Sequence, residues 1–368
     1  MLRAISACRT AALGGHLDVC LDCGAQRPAY NSCRNRHCPK CQALDQHRWL
    51  ELRLERVLPT YHFHLVFTLP AELAAIGLRN RRIVYELLFR AASDTLLTLG
   101  KDPKRLGALL GFTMVLHTWT RELRFHPHLH AIVTGGGLSL DEERWRDAGG
   151  KYLFPIKVLG RLFRGKLLDH LARAHADGQL DTPPELDEDG AFEHLLDQLY
   201  SKNWVVFAKR PFAGAEQVFT YLGRYTHRVA ISNHRILDVA EDAITIATRN
   251  GNTATLEPHQ LIRRFLLHVL PKRFVKIRHY GLMAATNVHS KLERARALLA
   301  PIGPEPSTTE AEHERDDRHP GLESTDDLIE RLTSIDPRVC PVCNGRRLQR
   351  LPLDALLRAR PPPGLPAR

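Results

Sequence analysis

The pattern of apolar and polar positions divides the chain into four zones. Residues 8–46 are rich in Cys, His, Arg and Gly and contain no long apolar run. Between residues 47 and 300, strand-like and helix-like apolar runs alternate, which predicts a mixed core of strands and helices. Residues 301–327 are acidic, polar and interrupted by proline, as in a flexible linker. A short helical run, DLIERLTSI, then precedes a second cysteine pair and a proline-rich tail.

Four core segments have patterns that predict their secondary structure. YHFHLVFTLP (61–70) alternates bulky apolar residues and ends in proline, which predicts a strand. FTMVLHTW (112–119) and HLHAIVTGGG (128–137) predict two further strands, the second ended by its three glycines. AEQVFTYLGRYTHRVA (215–230) begins with apolar residues at helical spacing and predicts a helix, although its glycine weakens that prediction.

Size and charge narrow the class of protein. A chain of 368 residues is long enough for two or three domains. It has no apolar run of the length that spans a membrane, so we expect a soluble, cytoplasmic protein. The formal charge is +11, and residues 303–330 contain ten acidic residues against two arginines, so the remaining chain is still more basic. This basic part of the chain suits a polyanionic partner, although a solvated basic surface would give the same composition.

The cysteines indicate a structural metal. Six of the eight precede residue 42, and Cys20 with Cys23 and Cys38 with Cys41 form two C-x-x-C pairs. Each such pair offers two thiolates from one tight turn, which is typical of a tetrahedral zinc ribbon. The spacing predicts structural Zn²⁺ held by these four residues.

Further candidate ligands leave alternatives open. The candidates near the two N-terminal C-x-x-C pairs could bind a second ion. Alternatively, Cys33 could be a packed thiol and His37 could contact phosphate. The last pair could complete a site with unused N-terminal ligands, bind metal across a dimer, or bind none. These candidates are Cys8, His16, Cys33 and His37 near the N-terminus, and the pair Cys340 and Cys343.

Basic residues are interleaved with the N-terminal cysteines. Arg34, Arg36 and Lys40 all lie between Cys33 and Cys41. A small zinc module with this charge is typical of a DNA-docking element, in which the metal stabilises the fold and takes no part in catalysis.

Two histidines alternate with a leucine in the third predicted strand. In a strand, His128 and His130 point to one face and Leu129 points to the other, towards a core. Two neighbouring imidazoles can bind a divalent ion together. A lone H-x-H is common by chance, so this motif alone is a weak signal.

Two tyrosines are spaced one helical turn apart in the predicted helix. Tyr221 and Tyr225, at i and i+4, share a face of that helix. An aromatic pair is more often part of a core, but Arg224 and Arg228 make this a better setting for phosphate. A phenol near its free pKa of about 10 is a weak nucleophile, and cationic neighbours can make its attack on phosphate feasible.

The order of these motifs resembles a known family, the rolling-circle transposases of the HUH, two-tyrosine type (the insertion-sequence-ninety-one family). The resemblance covers roughly residues 5–300 and rests on CRNRHCPKCQ, FHLVFTLP, LHTW, HPHLHAIVTGGGLS, YLGRYTHRVAISN and RRFLLHVLPKRFVKIRHYGLMA. It implies an α+β protein with a small zinc-ribbon-like domain over residues 1–46 and an HUH endonuclease domain over 47–300, an antiparallel sheet flanked by helices. The linker (301–327) and a C-terminal segment (328–368) would follow.

The resemblance also implies a mechanism. Tyr221 and Tyr225 would attack single-stranded DNA and form a 5′-phosphotyrosine, beside Mg²⁺ or Mn²⁺ held by His128 and His130. A third ligand is usual, and His64, on a neighbouring predicted strand, is the best candidate. Two other histidines compete for that position, His62 and His227.

The expected partners are single-stranded DNA at transposon ends and at the target, with no membrane and no prediction of the oligomeric state. The bacterial protein would then be associated with the nucleoid. Two other classes stay open. A non-enzymatic zinc-dependent DNA-binding protein would explain the charge and the cysteines, and a zinc hydrolase would explain the histidines. The expected DNA-backbone contacts of the catalytic domain are Arg224, Arg228, Lys276 and Arg278.

Overall fold

The structure is a computed structural model of the chain. It divides into two compact units, one formed by Met1–Arg48 with Gly303–Arg368 and the other by Trp49–Ile302. The prediction of an α+β protein with antiparallel sheets is confirmed. The residues that the structure describes are 1–204, 206–212, 223, 231–300 and 323–353.

The first unit contains a three-stranded antiparallel sheet built from both ends of the chain. The strand β1 (Gly15–Cys20) lies between β2 (Gln26–Tyr30) and β12 (Leu348–Pro352). Two short helices belong to the same unit, α1 (Leu2–Ser6) and α9 (Thr325–Thr333). The C-terminal knuckle and its strand therefore complete the N-terminal sheet, whereas the sequence predicted a separate C-terminal segment.

A buried carboxylate links the three strands of this sheet. Asp18 on β1 is 4% exposed and accepts hydrogen bonds from Arg27 on β2 (3.2 Å) and Arg350 on β12 (3.1 Å). Burial disfavours the charged carboxylate, but the two guanidinium groups outweigh that cost and hold the pKa of Asp18 below its usual range. Because an unpaired charge at this depth would be strongly destabilising, both arginines fix the strands that carry them.

The second unit is organised around a larger sheet. Its described part has the strand order β11-β4-β5-β3-β7, with the short β6 paired to β5, and all pairs are antiparallel. A second sheet of three short strands has the order β10-β9-β8. The strands of the larger sheet are β3 (His62–Thr68), β4 (Ala108–Trp119), β5 (Phe125–Ser139), β6 (Trp145–Asp147), β7 (Phe207–Phe212) and β11 (Ile277–Gly281). Those of the smaller sheet are β8 (Ile236–Val239), β9 (Ile244–Ala247) and β10 (Thr253–Leu256).

Two long helices pack on one face of the larger sheet. The longest are α4 (Arg81–Lys101) and α5 (Ile156–Ala176), which contact each other, and α4 also contacts β4 and β5. None of the described helices is both long and apolar enough to cross a membrane. The remaining helices are α2 (Ala43–Leu54), α3 (Ala74–Arg79), α6 (Ala191–Ser201), α7 (Pro258–Leu267) and α8 (Lys291–Leu299).

The apolar core lies between this sheet face and its helices. Alternate residues of β3 and β5 belong to the core, and the ring of Phe67 packs edge-on against Phe163 of α5 with 5.0 Å between centroids. Because side chains alternate along a strand, the residues between these core positions point to the opposite face. The core residues of the two strands are Phe63, Leu65, Phe67, Leu129, Ala131 and Val133.

The three predicted strands of the core region are confirmed, with one correction. The glycines of TGGG were expected to end β5, but the strand continues through Gly135–Gly137 to Ser139. A methyl group at Gly135 would overlap the ring of Tyr61, and one at Gly137 would lie 2.6 Å from the carbonyl oxygen of Leu109. The glycines therefore allow neighbouring groups to approach the strand closely.

Two glycines of α5 give a matched stability test. A methyl group at Gly160 would overlap the carbonyl oxygen of Trp204, whereas nothing lies within 4 Å of the equivalent position at Gly165. Gly160→Ala should therefore lower the free energy of unfolding by about 1–3 kcal/mol through overpacking. Gly165→Ala should raise it by about 0.5–1 kcal/mol, because alanine is the better helix former. Urea unfolding of both variants measures the difference, and equal effects would contradict the packing described here.

Candidate active site

Three imidazoles meet on the sheet face opposite the core. His128 and His130 lie on β5, and His117 on β4 lies directly opposite His128 in the strand register. One ring nitrogen of each lies within 4.8 Å of the others. Imidazole is a common ligand of divalent transition metals, so this three-histidine group can hold one ion.

His117 was not among the ligands predicted from the sequence. Its signal was present in LHTW, because His117 alternates with buried Leu116 in a predicted strand. That alternation gives the face of a residue within its own strand. It does not give the pairing register that sets His117 opposite His128.

His64, the predicted third ligand, takes a neighbouring position. It lies on β3, with its Nε2 atom 2.9 Å from Nδ1 of His130 and the two rings stacked at 5.1 Å. It is outside the group whose nitrogens converge. If Nδ1 of His130 donates this hydrogen bond, Nε2 of that ring is the nitrogen left for an ion, and His64 contacts a candidate ligand. The competing His62 is buried away from the cleft, and burial lowers its pKa to about 4.

The backbone orients His128. Its Nδ1 atom lies 2.7 Å from the carbonyl oxygen of His126, so Nδ1–H donates to that oxygen and Nε2 carries the lone pair. Burial lowers the pKa of His128 to about 4, and the charge of nearby His126 adds to that effect. The ring is therefore neutral at pH 7, as a metal ligand must be.

The three-histidine group lies in a cleft of about 1320 Å³. Further lining comes from β3 and β7, from the turn after β4, from residues 231, 232, 234 and 235, and from the turn between β9 and β10. The described lining residues include four arginines and one acidic residue, Glu122. The cleft therefore favours an anionic ligand. Its arginines are Arg121, Arg124, Arg235 and Arg249.

Hydrogen bonds to backbone carbonyls hold the cleft walls. Nε of Arg235 donates to the carbonyl oxygen of Ala247 (3.0 Å), and its guanidinium also donates to that of Arg121. The ring of His268, which follows α7, lies 3.1 Å from the carbonyl oxygen of Leu123 and 3.2 Å from Oγ1 of Thr118. Arg235 and His268 therefore connect the turn after β4 to the smaller sheet and to α7.

The predicted nucleophiles lie outside the described residues, as do three of their neighbours. Both flanks of that segment reach the cleft, since Phe207 of β7 and Ile231 with Ser232 line it. Within the segment, Gly223 is described, and it is helical and buried. The residues concerned are Tyr221, Arg224, Tyr225, His227 and Arg228.

The predicted zinc ligands do not form one site, so that prediction is corrected. Cys38 and Cys41 cluster with Cys8 and Cys33, and Sγ of Cys33 lies 3.8 Å from Sγ of Cys41. The fifth candidate of this region, His37, lies outside the cluster, with its Nδ1 atom 3.2 Å from Oδ1 of Asn35. Cys33 therefore belongs with the candidate metal ligands, although the sequence also allowed a simple packed thiol.

Cys20 and Cys23 belong to a second cluster, with Cys340 and Cys343. The C-terminal pair takes the place that the sequence had given to Cys38 and Cys41. The pairing of β1 with β12 is the physical reason, because it brings the two chain ends together. His16 is outside both clusters, and its Nε2 atom lies 3.5 Å from Oδ1 of Asp18.

The predicted DNA contacts of the first unit surround the first cluster. Arg34 and Lys40 are exposed. The backbone N–H of Lys40 lies 3.4 Å from Sγ of Cys38, so this basic position is tied to a cysteine of that cluster. Arg36 is half-buried, and burial lowers its pKa.

Arg278 has a structural position, which corrects its predicted role as a DNA contact. Its guanidinium donates two hydrogen bonds to Glu86 of α4, at 2.6 and 2.8 Å, and lies 4.2 Å from the ring centroid of Phe89. It is paired in register with core residue Met114, so it lies on the face away from the three-histidine group. Lys276 is half-buried, and its carbonyl oxygen accepts from the N–H of Leu116 (2.8 Å).

Comparison with known families gives two matches. A family described as "Putative transposase" matches residues 111–291, and one described as "Transposase zinc-binding domain" matches residues 1–69. The first range contains the three-histidine group and the tyrosines, and the second contains the six N-terminal cysteines.

Two known proteins are similar over nearly the whole chain. A protein of Sinorhizobium fredii named "Putative transposase y4qJ" is 46% identical over 353 residues, which cover 94% of this chain and 86% of the relative. The "Transposase for insertion sequence element IS801" of Pseudomonas savastanoi pv. phaseolicola is 26% identical over 363 residues, with 95% and 82% covered. No solved structure matches the chain.

The buried ring of His268 predicts a pH dependence of stability. Burial lowers its pKa to about 4, against an ordinary value near 6.5. Between these two values the unfolded chain binds a proton that the folded chain does not, so the free energy of unfolding falls as pH falls. His268→Gln should remove about 1.4 kcal/mol per pH unit from that slope. Urea unfolding at several pH values measures this slope. An unchanged slope in His268→Gln would show that this ring titrates normally in the folded state.

Proposed function

This chain belongs to the insertion-sequence-ninety-one family of transposases, and from that premise we propose that it cleaves and rejoins single-stranded DNA through a 5′-phosphotyrosine intermediate during rolling-circle transposition. One observation carries the proposal. The three-histidine group lies in a basic cleft that is also lined by both flanks of the segment with the two tyrosines.

The donor set suits a divalent ion. His117, His128 and His130 would hold it, and the hydrogen bonds made by His64 and by the carbonyl oxygen of His126 would orient two of the rings. Three imidazole ligands favour Mn²⁺ over Mg²⁺, because Mg²⁺ prefers oxygen ligands. When bound, such an ion supplies Lewis-acid polarisation of a non-bridging oxygen of the scissile phosphate.

The tyrosines carry out the covalent step. The phenolic oxygen of Tyr221 or Tyr225 attacks the phosphorus, and the bond from phosphorus to the 3′-oxygen breaks. The phenol loses its proton to solvent, and the departing 3′-oxygen takes one up. The product keeps a phosphodiester link, so attack by a 3′-OH reverses the step without ATP. Two phenols permit a second strand to be cut before the first is released.

The cleft provides the proposed path of the DNA strand. Arg124 and Arg249 are exposed on its lining and can contact phosphates. Trp119 lies beside the three-histidine group, stacked on His117 at 4.9 Å, and offers a surface for a base. The strand would be bound by these groups together with Arg224 and Arg228, in place of Arg278. Arg34 and Lys40 would dock DNA at the zinc-binding domain.

A covalent-adduct assay tests the proposal. The full chain is incubated with Mn²⁺ and a labelled single strand that carries a transposon end, and the products are separated on a denaturing gel. Tyr221→Phe with Tyr225→Phe should abolish the adduct, because both attacking oxygens are removed. Tyr152→Phe, at a tyrosine that is 63% exposed, should form it as the unmodified chain does. Adduct from the double variant would refute the tyrosine mechanism. DNA binding without cleavage would favour a non-enzymatic DNA-binding protein. Cleavage without an adduct would favour a hydrolase.

The same assay distinguishes the roles of His117 and His64. His117→Ala should abolish the metal-dependent adduct, because it removes one of the three converging nitrogens. His64→Ala should lower the apparent metal affinity about 10–100-fold, as expected of a group that orients a ligand, and excess Mn²⁺ should restore adduct formation. If excess metal restored the adduct for His117→Ala but not for His64→Ala, the two assignments would be reversed.

The cleft arginines predict a change in the salt dependence of DNA binding. Arg124→Ala with Arg249→Ala should weaken binding of a single strand and lower the slope of log K against log salt by about 0.7 for each phosphate that is no longer neutralised. Arg173→Ala is the matched control. Arg173 on α5 is 68% exposed and 2.9 Å from Asp169, while Arg124 is 72% exposed and 2.9 Å from Glu122. Fluorescence anisotropy measures both slopes, and equal slopes in the double variant and the control would place the strand elsewhere.

A further inference from the structure

We propose that Cys20, Cys23, Cys340 and Cys343 bind a structural zinc ion of their own, which fastens the C-terminal segment to the N-terminal sheet. This site is distinct from the cluster of Cys8, Cys33, Cys38 and Cys41, so the chain would hold two zinc ions. The proposal does not depend on the tyrosine mechanism. Its C-terminal ligands lie outside both family matches, which end at residues 69 and 291.

The sulfur positions fit one tetrahedral ion. Sγ of Cys20 lies 3.6 Å from Sγ of Cys343, and Sγ of Cys23 lies 3.8 Å from Sγ of Cys340. All four sulfurs lie within 4.8 Å of one another. A tetrahedron with zinc–sulfur bonds of about 2.3 Å has edges of about 3.8 Å. The four cysteines are free, so these spacings are those of thiols.

The two cysteine pairs have the same backbone turn. The N–H of Gly24 donates to the carbonyl oxygen of Cys20, and that of Asn344 donates to Cys340, both at 2.9 Å. Gly24 and Asn344, which each follow the second cysteine of a pair, have positive φ angles of 75° and 59°. The backbone N–H groups of Cys20 and Cys340 are also bonded alike, to the carbonyl oxygens five residues on. Two equivalent turns that present their sulfurs to each other form a complete site, and each alone supplies half of it.

Neighbouring contacts position the second turn on the first. The N–H of Leu21 donates to the carbonyl oxygen of Arg347 (2.8 Å), and the guanidinium of Arg347 is bonded to Asp22 (2.5 Å). The strand β12 begins one residue later and pairs along β1 down to Cys20. Because β12 follows the second turn directly, sheet pairing and the cysteine cluster both hold residues 340–352 against the N-terminal sheet.

Zinc content of the full chain tests the proposal. The protein, purified under reducing conditions, should carry two zinc ions per chain by elemental mass spectrometry, and Cys340→Ser with Cys343→Ser should carry one. Cys33→Ser with Cys41→Ser, the matched control at the other cluster, should also carry one, and the combined variant none. One ion in the unmodified chain, or two in the C-terminal variant, would overturn the assignment. So would a disulfide within this cluster, detected by peptide mapping of the alkylated protein.

A second measurement separates removal of the ion from general misfolding. Hydrogen exchange should show faster exchange of residues 348–352 in the C-terminal variant, while residues 33–41 and the strands of the second unit keep their protection. Cys343→His, which retains a zinc ligand, should restore both the second ion and the protection of β12. Failure of this rescue together with unchanged protection of β12 in the serine variant would overturn the fastening role.

Discussion

The alternation of side chains across β3, β4 and β5 is the constraint on which the rest of the second unit depends. Along β5, Leu129 and Ala131 are packed against helices, and the intervening His128 and His130 point the other way. Burying each large apolar side chain contributes roughly 1.5–3 kcal/mol, so the core determines which face every residue of the strand takes. A slip of one residue would bury the imidazoles and expose the core, so the same packing that stabilises the unit also positions its candidate ligands.

The first unit is stabilised in a different way. Its buried apolar residues, within the described part, are four cysteines and one leucine: Cys8, Cys20, Cys38, Leu328 and Cys340. A unit with so little aliphatic core needs metal or charge to define its fold, as small zinc domains do. The two cysteine clusters and the buried Asp18, held by Arg27 and Arg350, supply these interactions.

Local patterns predicted the elements, and non-local pairing decided the sites. The alternation in HFHLVFT and HLHAIV was sufficient to find β3 and β5 and the shared face of His128 and His130. The place of His117 in the three-histidine group, and of His64 outside it, depend on the register between strands, which no single segment contains. The cysteine partners were missed for the same reason, because Cys20 and Cys343 are 323 residues apart. The glycines of β5 were misjudged because glycine both ends strands and admits close neighbours.

The pairing of β1 with β12 has a consequence for biosynthesis. The N-terminal sheet lacks its third strand until residues 348–352 have left the ribosome, so the second unit, which precedes them in the chain, can fold first. Closing a flexible loop of this length costs roughly 5 kcal/mol in chain entropy, and folding of the intervening residues before closure reduces that cost. A chain that ends prematurely would keep the three-histidine strands but lack a finished first unit. Assembly of the first unit therefore waits for synthesis of β12.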